Sequence, residues 1–207
     1  MSPTERFVPP AALAVALLAV AISGVGPFDR FTWFLEVVPV FIGAAILVPL
    51  RARFPMTPLV LALLAIHAVI LSLGGHYTYA RVPFGFWMQD AFGFARNHYD
   101  RIGHFAQGAI PALVVREILL RRTPLLPGAW LFFLVSCVCL AISATYEFIE
   151  WWTALATGDA ATDFLGTQGD PWDTQWDMFL ALVGSLVAQM MFARLHDRQL
   201  ARLVSAG

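Results

Sequence analysis

In the stretch YDRIGHFAQG, Asp100, His104 and Gln107 recur at i, i+4 and i+7, so a helix presents all three on one face. Glu147 and Glu150 of YEFIEWW stand at i, i+3, and Asp173 and Asp177 of GTQGDPWDTQWDM at i, i+4. Carboxylates grouped with an imidazole suit two kinds of chemistry: general acid–base transfer, and ligation of a divalent cation that activates water or clamps a phosphate. The candidate catalytic groups are Glu147, His104 and Asp177. The candidate ligands of a divalent metal ion are Asp100, His104, Glu147, Glu150, Asp173 and Asp177, and their mixed oxygen and nitrogen character leaves the metal open.

Each pair also has a plainer account. Asp170, Pro171 and Asp173 read as an N-cap, a proline at the first helical position and an acid in the first turn. Asp100 reads as a helix cap paired with Arg101. Glu147, Glu150, Asp177 and His104 lie a turn or so inside their segments, where ionisable groups are paired, functional or both. Five or six acids facing Arg96, Arg101 and His104 carry uncompensated negative charge, which calls for a bound cation or for protonation. Glu36 and His67 sit inside other apolar segments and read as structural or as part of a polar path. Pro111 removes the backbone bond to the Gln107 carbonyl and marks an expected kink.

These residues are embedded in a chain built for lipid. Of 207 residues, 59% are hydrophobic and 13% charged, against about 25% charged in soluble domains. The mean hydropathy is +0.70. A net charge of −1 offers no basic field for nucleic acid. No glycine-rich phosphate loop, CxxC pair, GxSxG elbow or HExxH motif is present. Cys137 and Cys139 are two positions apart, point to different helix faces, and read as small core residues.

Six stretches are long enough to cross about 30 Å of hydrocarbon, which takes about 17 to 25 residues. They run over Phe7–Val25, Phe31–Leu50, Thr57–Leu73, Asp100–Leu120, Gly128–Ala156 and Pro171–Leu195. The first is too long for a signal-peptide core and reads as an uncleaved helix. The fold expected is therefore an all-α, polytopic transmembrane bundle of about six helices, a single integral membrane domain over residues 1–207. With both termini cytoplasmic, nine arginines fall inside (Arg6, Arg51, Arg53, Arg116, Arg121, Arg122, Arg194, Arg198, Arg202) and four outside (Arg30, Arg81, Arg96, Arg101). Eleven of the fourteen acids and six of the seven tryptophans then lie at the outer end. The fourth, fifth and sixth segments deliver their ionisable groups to that one depth.

The strings HYDRIGHFAQG, REILLRR, YEFIEWW and GTQGDPWDTQWDM resemble those of the YjdF-type inner-membrane protein family, a bacterial domain of unknown function. The resemblance covers most of the chain and is strongest over residues 97–190. It implies a multi-pass protein of the bacterial inner membrane and supplies no reaction. A looser pattern similarity links Asp100, His104, Glu147, Asp173, Asp177 and Gly184 to VanZ-like membrane proteins.

Three functions share this residue set. One is a metal-dependent enzyme acting on a lipid or phosphate-bearing substrate at the outer leaflet. The others are a proton- or cation-coupled transporter and a non-enzymatic membrane factor with a structural polar core. A transporter site belongs near the midplane with access to both faces, whereas this cluster lies toward one end. Its partners are the lipid bilayer and a lipid or phosphate-bearing small molecule. The arginine distribution predicts that an alkaline phosphatase fused after residue 207 is inactive and one fused within Gly158–Gly169 is active; the reverse pattern would invert the topology.

Overall fold

The computed structural model describes residues 3–205, with the side chains of residues 3–7, 159, 160, 162, 204 and 205 outside that description. The described residues form an all-helical bundle. Its long helices are α1 (Pro3–Ser23), α2 (Arg30–Leu50), α3 (Pro58–Tyr77), α5 (Tyr99–Arg122), α6 (Ala129–Thr157) and α8 (Asp173–Ser205). Two shorter helices, α4 (Pro83–Phe92) and α7 (Thr162–Leu165), lie in the connections, the second after a 3-10 turn at Gly158–Ala161. By length and composition α2, α3, α6 and α8 are each apolar enough to cross a membrane, and the apolar part of α1, Val8–Ser23, is shorter.

Helix α5 is the exception that explains the layout. It carries buried Arg116 and Glu117 as well as His104, so it needs protein rather than lipid around it. It packs against α3, α6 and α8, while α1 and α2 lie on the far side of α3. Its contact with α8 is made by glycine. A Cβ on Gly108 would collide with the Ala181 backbone, and one on Gly184 would collide with the Phe105 carbonyl and stand 3.0 Å from the Ala109 nitrogen. The two backbones touch directly, as small residues at membrane helix interfaces permit. Below this crossing, Val60, Ala112, Leu113, Leu131, Val135, Cys139 and Ala188 fill the core.

The arginine-rich end is locked by a polar clamp. Glu117, fully buried, accepts from the Thr57 hydroxyl at 2.8 Å, the Thr57 amide at 3.2 Å, Arg121 at 2.7 Å and His196 Nε2 at 3.1 Å. Arg116 donates to His196 Nδ1 at 3.1 Å and pairs with Asp197 at 2.8 Å. Gln199 accepts from the Leu59 amide at 2.8 Å. Two orphan amides near the start of α3 are thereby satisfied by α5 and α8.

Several boundaries differ from the sequence reading, each for a local reason. α3 continues past Leu73 through Gly74 and Gly75, because the Tyr79 ring packs on Gly74 and Glu36 Cβ stands 3.0 Å from where a Gly75 Cβ would be. The long connection after it contains α4, which starts with Pro83 in its first turn and stops at Gly93 with φ 67°. α8 begins at Asp173 rather than Pro171, since Asp170 turns its side chain onto the Trp172 amide at 2.9 Å. It runs on to Ser205, past Leu195, because the clamp holds its polar end. α5 passes unbroken through Pro111.

The glycine contact gives a direct test. Gly184→Val forces the α5 and α8 backbones apart and lowers unfolding stability in detergent by about 3 kcal/mol. Gly43→Val, at a position with nothing within 4 Å of its Cβ, changes it by less than about 0.5 kcal/mol.

Candidate functional site

The first turn of α5, the last turns of α6 and the first turn of α8 meet at the end opposite the clamp. His104 is at the centre and buried. Its Nδ1 lies 2.9 Å from Gln107 Oε1, one turn further along the same face. In the tautomer that donates Nδ1–H to that amide oxygen, the Nε2 lone pair is directed toward Asp100 Oδ1 at 3.3 Å and Asp177 Oδ1 at 3.7 Å. Ligand atoms of Asp100, His104 and Asp177 lie within 4.8 Å of one another, and so do those of His104, Glu147 and Glu150. Five of the six proposed ligands thus gather in two groups that share one imidazole.

Asp173 has another partner. Arg96 donates to it at 2.6 Å, to Asp170 at 3.3 Å and to the Thr167 carbonyl, binding the connection before α8 to the residues before α5. Arg101 does not pair with Asp100. It points to Asp170 at 3.6 Å and covers the Trp176 ring at 5.0 Å. Beside them, burial and the guanidinium groups of Arg101 and Arg96 lower the pKa of His98 below the ordinary imidazole value. With both arginines turned outward, His104 is the cationic partner that the inner carboxylates have among the described residues. Glu147 Oε1 and Asp177 Oδ1 are buried and accept no hydrogen bond.

Glu36, which the sequence marked, and Tyr79 and Asn97, which it did not, complete the surroundings. Glu36 of α2 is buried and accepts from the Tyr146 hydroxyl at 3.2 Å, one position before Glu147. Tyr79, in a turn with φ 45°, inserts its ring between Gly74 of α3 and Gly103 of α5, whose Cβ would stand 2.7 Å from the ring. Asn97, buried, donates to the Val82 carbonyl and accepts from the Tyr99 amide, both at 3.0 Å, fixing the starts of α4 and α5 together. The glycines on the flanks of Tyr79 were the available signal for it. His67 lies elsewhere, on α3 facing α1 and α2.

Residues 9–198 match the sequence profile of a family described as "Predicted membrane protein (DUF2238)". The chain belongs to this family. Inner membrane protein YjdF of Escherichia coli strain K12 is 52% identical over 191 residues, which is 92% of this chain and 91% of that protein. No solved structure matches. With its apolar helices, the chain is a multi-pass protein of the inner membrane.

Arg96 is the charge that keeps Asp173 satisfied in a nearly dry position. Arg96→Gln therefore lowers stability by about 3 kcal/mol, and adding Asp173→Asn recovers most of it, as read by unfolding of the single and double variants in detergent.

Proposed function

We propose that the chain crosses the membrane six times with both termini cytoplasmic, and that it is a metal-dependent enzyme whose site opens to the outer leaflet. The arginine excess at the Glu117 end and the exposed Trp87, Trp151, Trp152, Trp172 and Trp176 at the other support that orientation. One divalent cation is held by His104 Nε2 with Asp100, Asp177, Glu147 and Glu150. The observation that carries this reading is the pair of buried, unpartnered carboxylate oxygens, Glu147 Oε1 and Asp177 Oδ1, on either side of that imidazole. Leaving such acceptors bare costs about 1–3 kcal/mol or more each, and a cation removes both the desolvation and the mutual repulsion.

The chemistry proposed is attack of a metal-activated water on a phosphate-bearing lipid. A divalent cation held there would supply a polarised phosphoryl oxygen and a water of lowered pKa. Glu147, through the carboxylate oxygen not given to the cation, would accept the proton from that water and return it to the glycerol oxygen as the phosphorus–oxygen bond breaks, leaving inorganic phosphate and diacylglycerol. Gln107 holds the imidazole of His104 in register. A transporter would need a continuing polar path, whereas the Glu117–His196 clamp at the other end of α5 and α8 is already saturated by its own partners. Arg96 supports the second reading, a structural polar core, since it neutralises Asp173 and Asp170 without any cation.

Metal analysis separates the two. Purified wild type binds about one divalent ion per chain and releases inorganic phosphate from vesicles containing phosphatidic acid. Glu147→Gln and His104→Ala lose most of the metal while keeping their helical content. Wild type that stays metal-free after supplementation, with both variants changed only in thermal stability, favours the structural core. Metal-loaded wild type without phosphate release removes this substrate and leaves the metal site standing.

A further inference from the structure

A second feature lies away from the charged cluster, at the arginine-rich half of the bundle. α1 and α2 both lean on α3 and touch each other little. Between them lies a cavity of about 550 Å³, a size typical of small-molecule sites. Its walls are apolar, with small residues such as Ala16, Gly43 and Ala44 set among leucines such as Leu13, Leu47 and Leu64. A Cβ on Gly43 would meet nothing within 4 Å. Two lining residues carry a polar group, Arg51 at the end of α2 and His67 in the middle of α3.

We propose that this groove binds one acyl chain of a phospholipid from the leaflet at the arginine-rich end, with its acidic phosphate headgroup against Arg51. Length supports this occupant. From Pro39 to Arg51 α2 rises about 18 Å at 1.5 Å per residue, close to the roughly 15 Å hydrocarbon depth of one leaflet. Charge supports it too: Arg51 is exposed at the mouth, with Nη1 turned onto the Val48 carbonyl at 2.7 Å and the rest of its donor fork available to a phosphate. Leu17, in the groove wall, is about half exposed on a surface that faces hydrocarbon. His67 stands at the deep end, about 13 Å along α3 from Pro58. Its Nε2 has no hydrogen-bond partner, so an amphiphile with a deep polar group is the competing occupant. This inference is independent of the metal site.

The probe is a mixed bilayer of phosphatidylglycerol and phosphatidylcholine in nanodiscs, with lipid retained on the purified chain counted by native mass spectrometry. Wild type retains one phosphatidylglycerol in preference to phosphatidylcholine. Arg51→Gln reduces that preference about five-fold, the effect of one interfacial arginine. Gly43→Phe, which grows into the open space, abolishes retention of both lipids with the helical content unchanged. Retention unaltered by Arg51→Gln and Gly43→Phe overturns the proposal. So does loss of the bound species in His67→Leu with Arg51→Gln unaffected, which assigns the groove to a ligand held at its deep end.

Discussion

The direct contact between the α5 and α8 backbones sets most of what this molecule can do. Gly108 against Ala181 and Gly184 against Phe105 leave no room for side chains between the two helices. Dispersion between the closely apposed backbones holds them there, because in lipid no hydrophobic difference drives helices together. Once the crossing is fixed, residues a few turns away in either direction must meet. Toward one end that brings Asp100 and His104 to Asp177, and toward the other it brings Arg116 and Glu117 to His196 and Asp197.

The two ionic clusters are built from similar residues and reach opposite states. In the Glu117 cluster both oxygens of Glu117 have donors, including a backbone amide, a hydroxyl and a guanidinium. Such a set is neutral enough and connected enough to remain buried without a ligand. In the His104 cluster the arginines are drawn outward to Asp170 and Asp173, leaving carboxylates facing one imidazole. The same fold that satisfies one cluster withholds donors from the other. That asymmetry, rather than the presence of acids in a membrane helix, distinguishes a site from a strut.

Much of this was legible in the sequence. The all-helical fold and the four spans α2, α3, α6 and α8 follow from runs of apolar residues matched to membrane thickness, and the gathering of Asp100, His104, Glu147, Glu150 and Asp177 follows from their spacing and their depth. Three things were not legible, each because it depends on contact across the bundle. Arg96 goes to Asp173 only because the connection before α8 folds over the start of α5. His196 lies past the point where apolarity ends, so a reading by hydropathy stops short of the residue that completes the clamp. Tyr79 occupies a turn that no periodicity marks, and only the glycines that receive its ring reveal it.

Tyr79 and Glu36 also show how far the polar region extends. α2 packs on α3 and has no part in the α5–α8 crossing, yet its one acid is buried and reached by Tyr146 of α6. The route is the thin wall made by Gly74 and Gly75: without side chains, α3 lets Glu36 from one side and Tyr79 from the other approach the core. A carboxylate placed there by two glycines, beside a tyrosine adjacent to Glu147, lies too deep to be hydrated and is stabilised by hydroxyl donors. It links the charged cluster to a helix outside the central four and makes α2 a structural neighbour of the site. Substitutions at Gly74 or Gly75 therefore act on the cluster through α3 without touching any of its ligands.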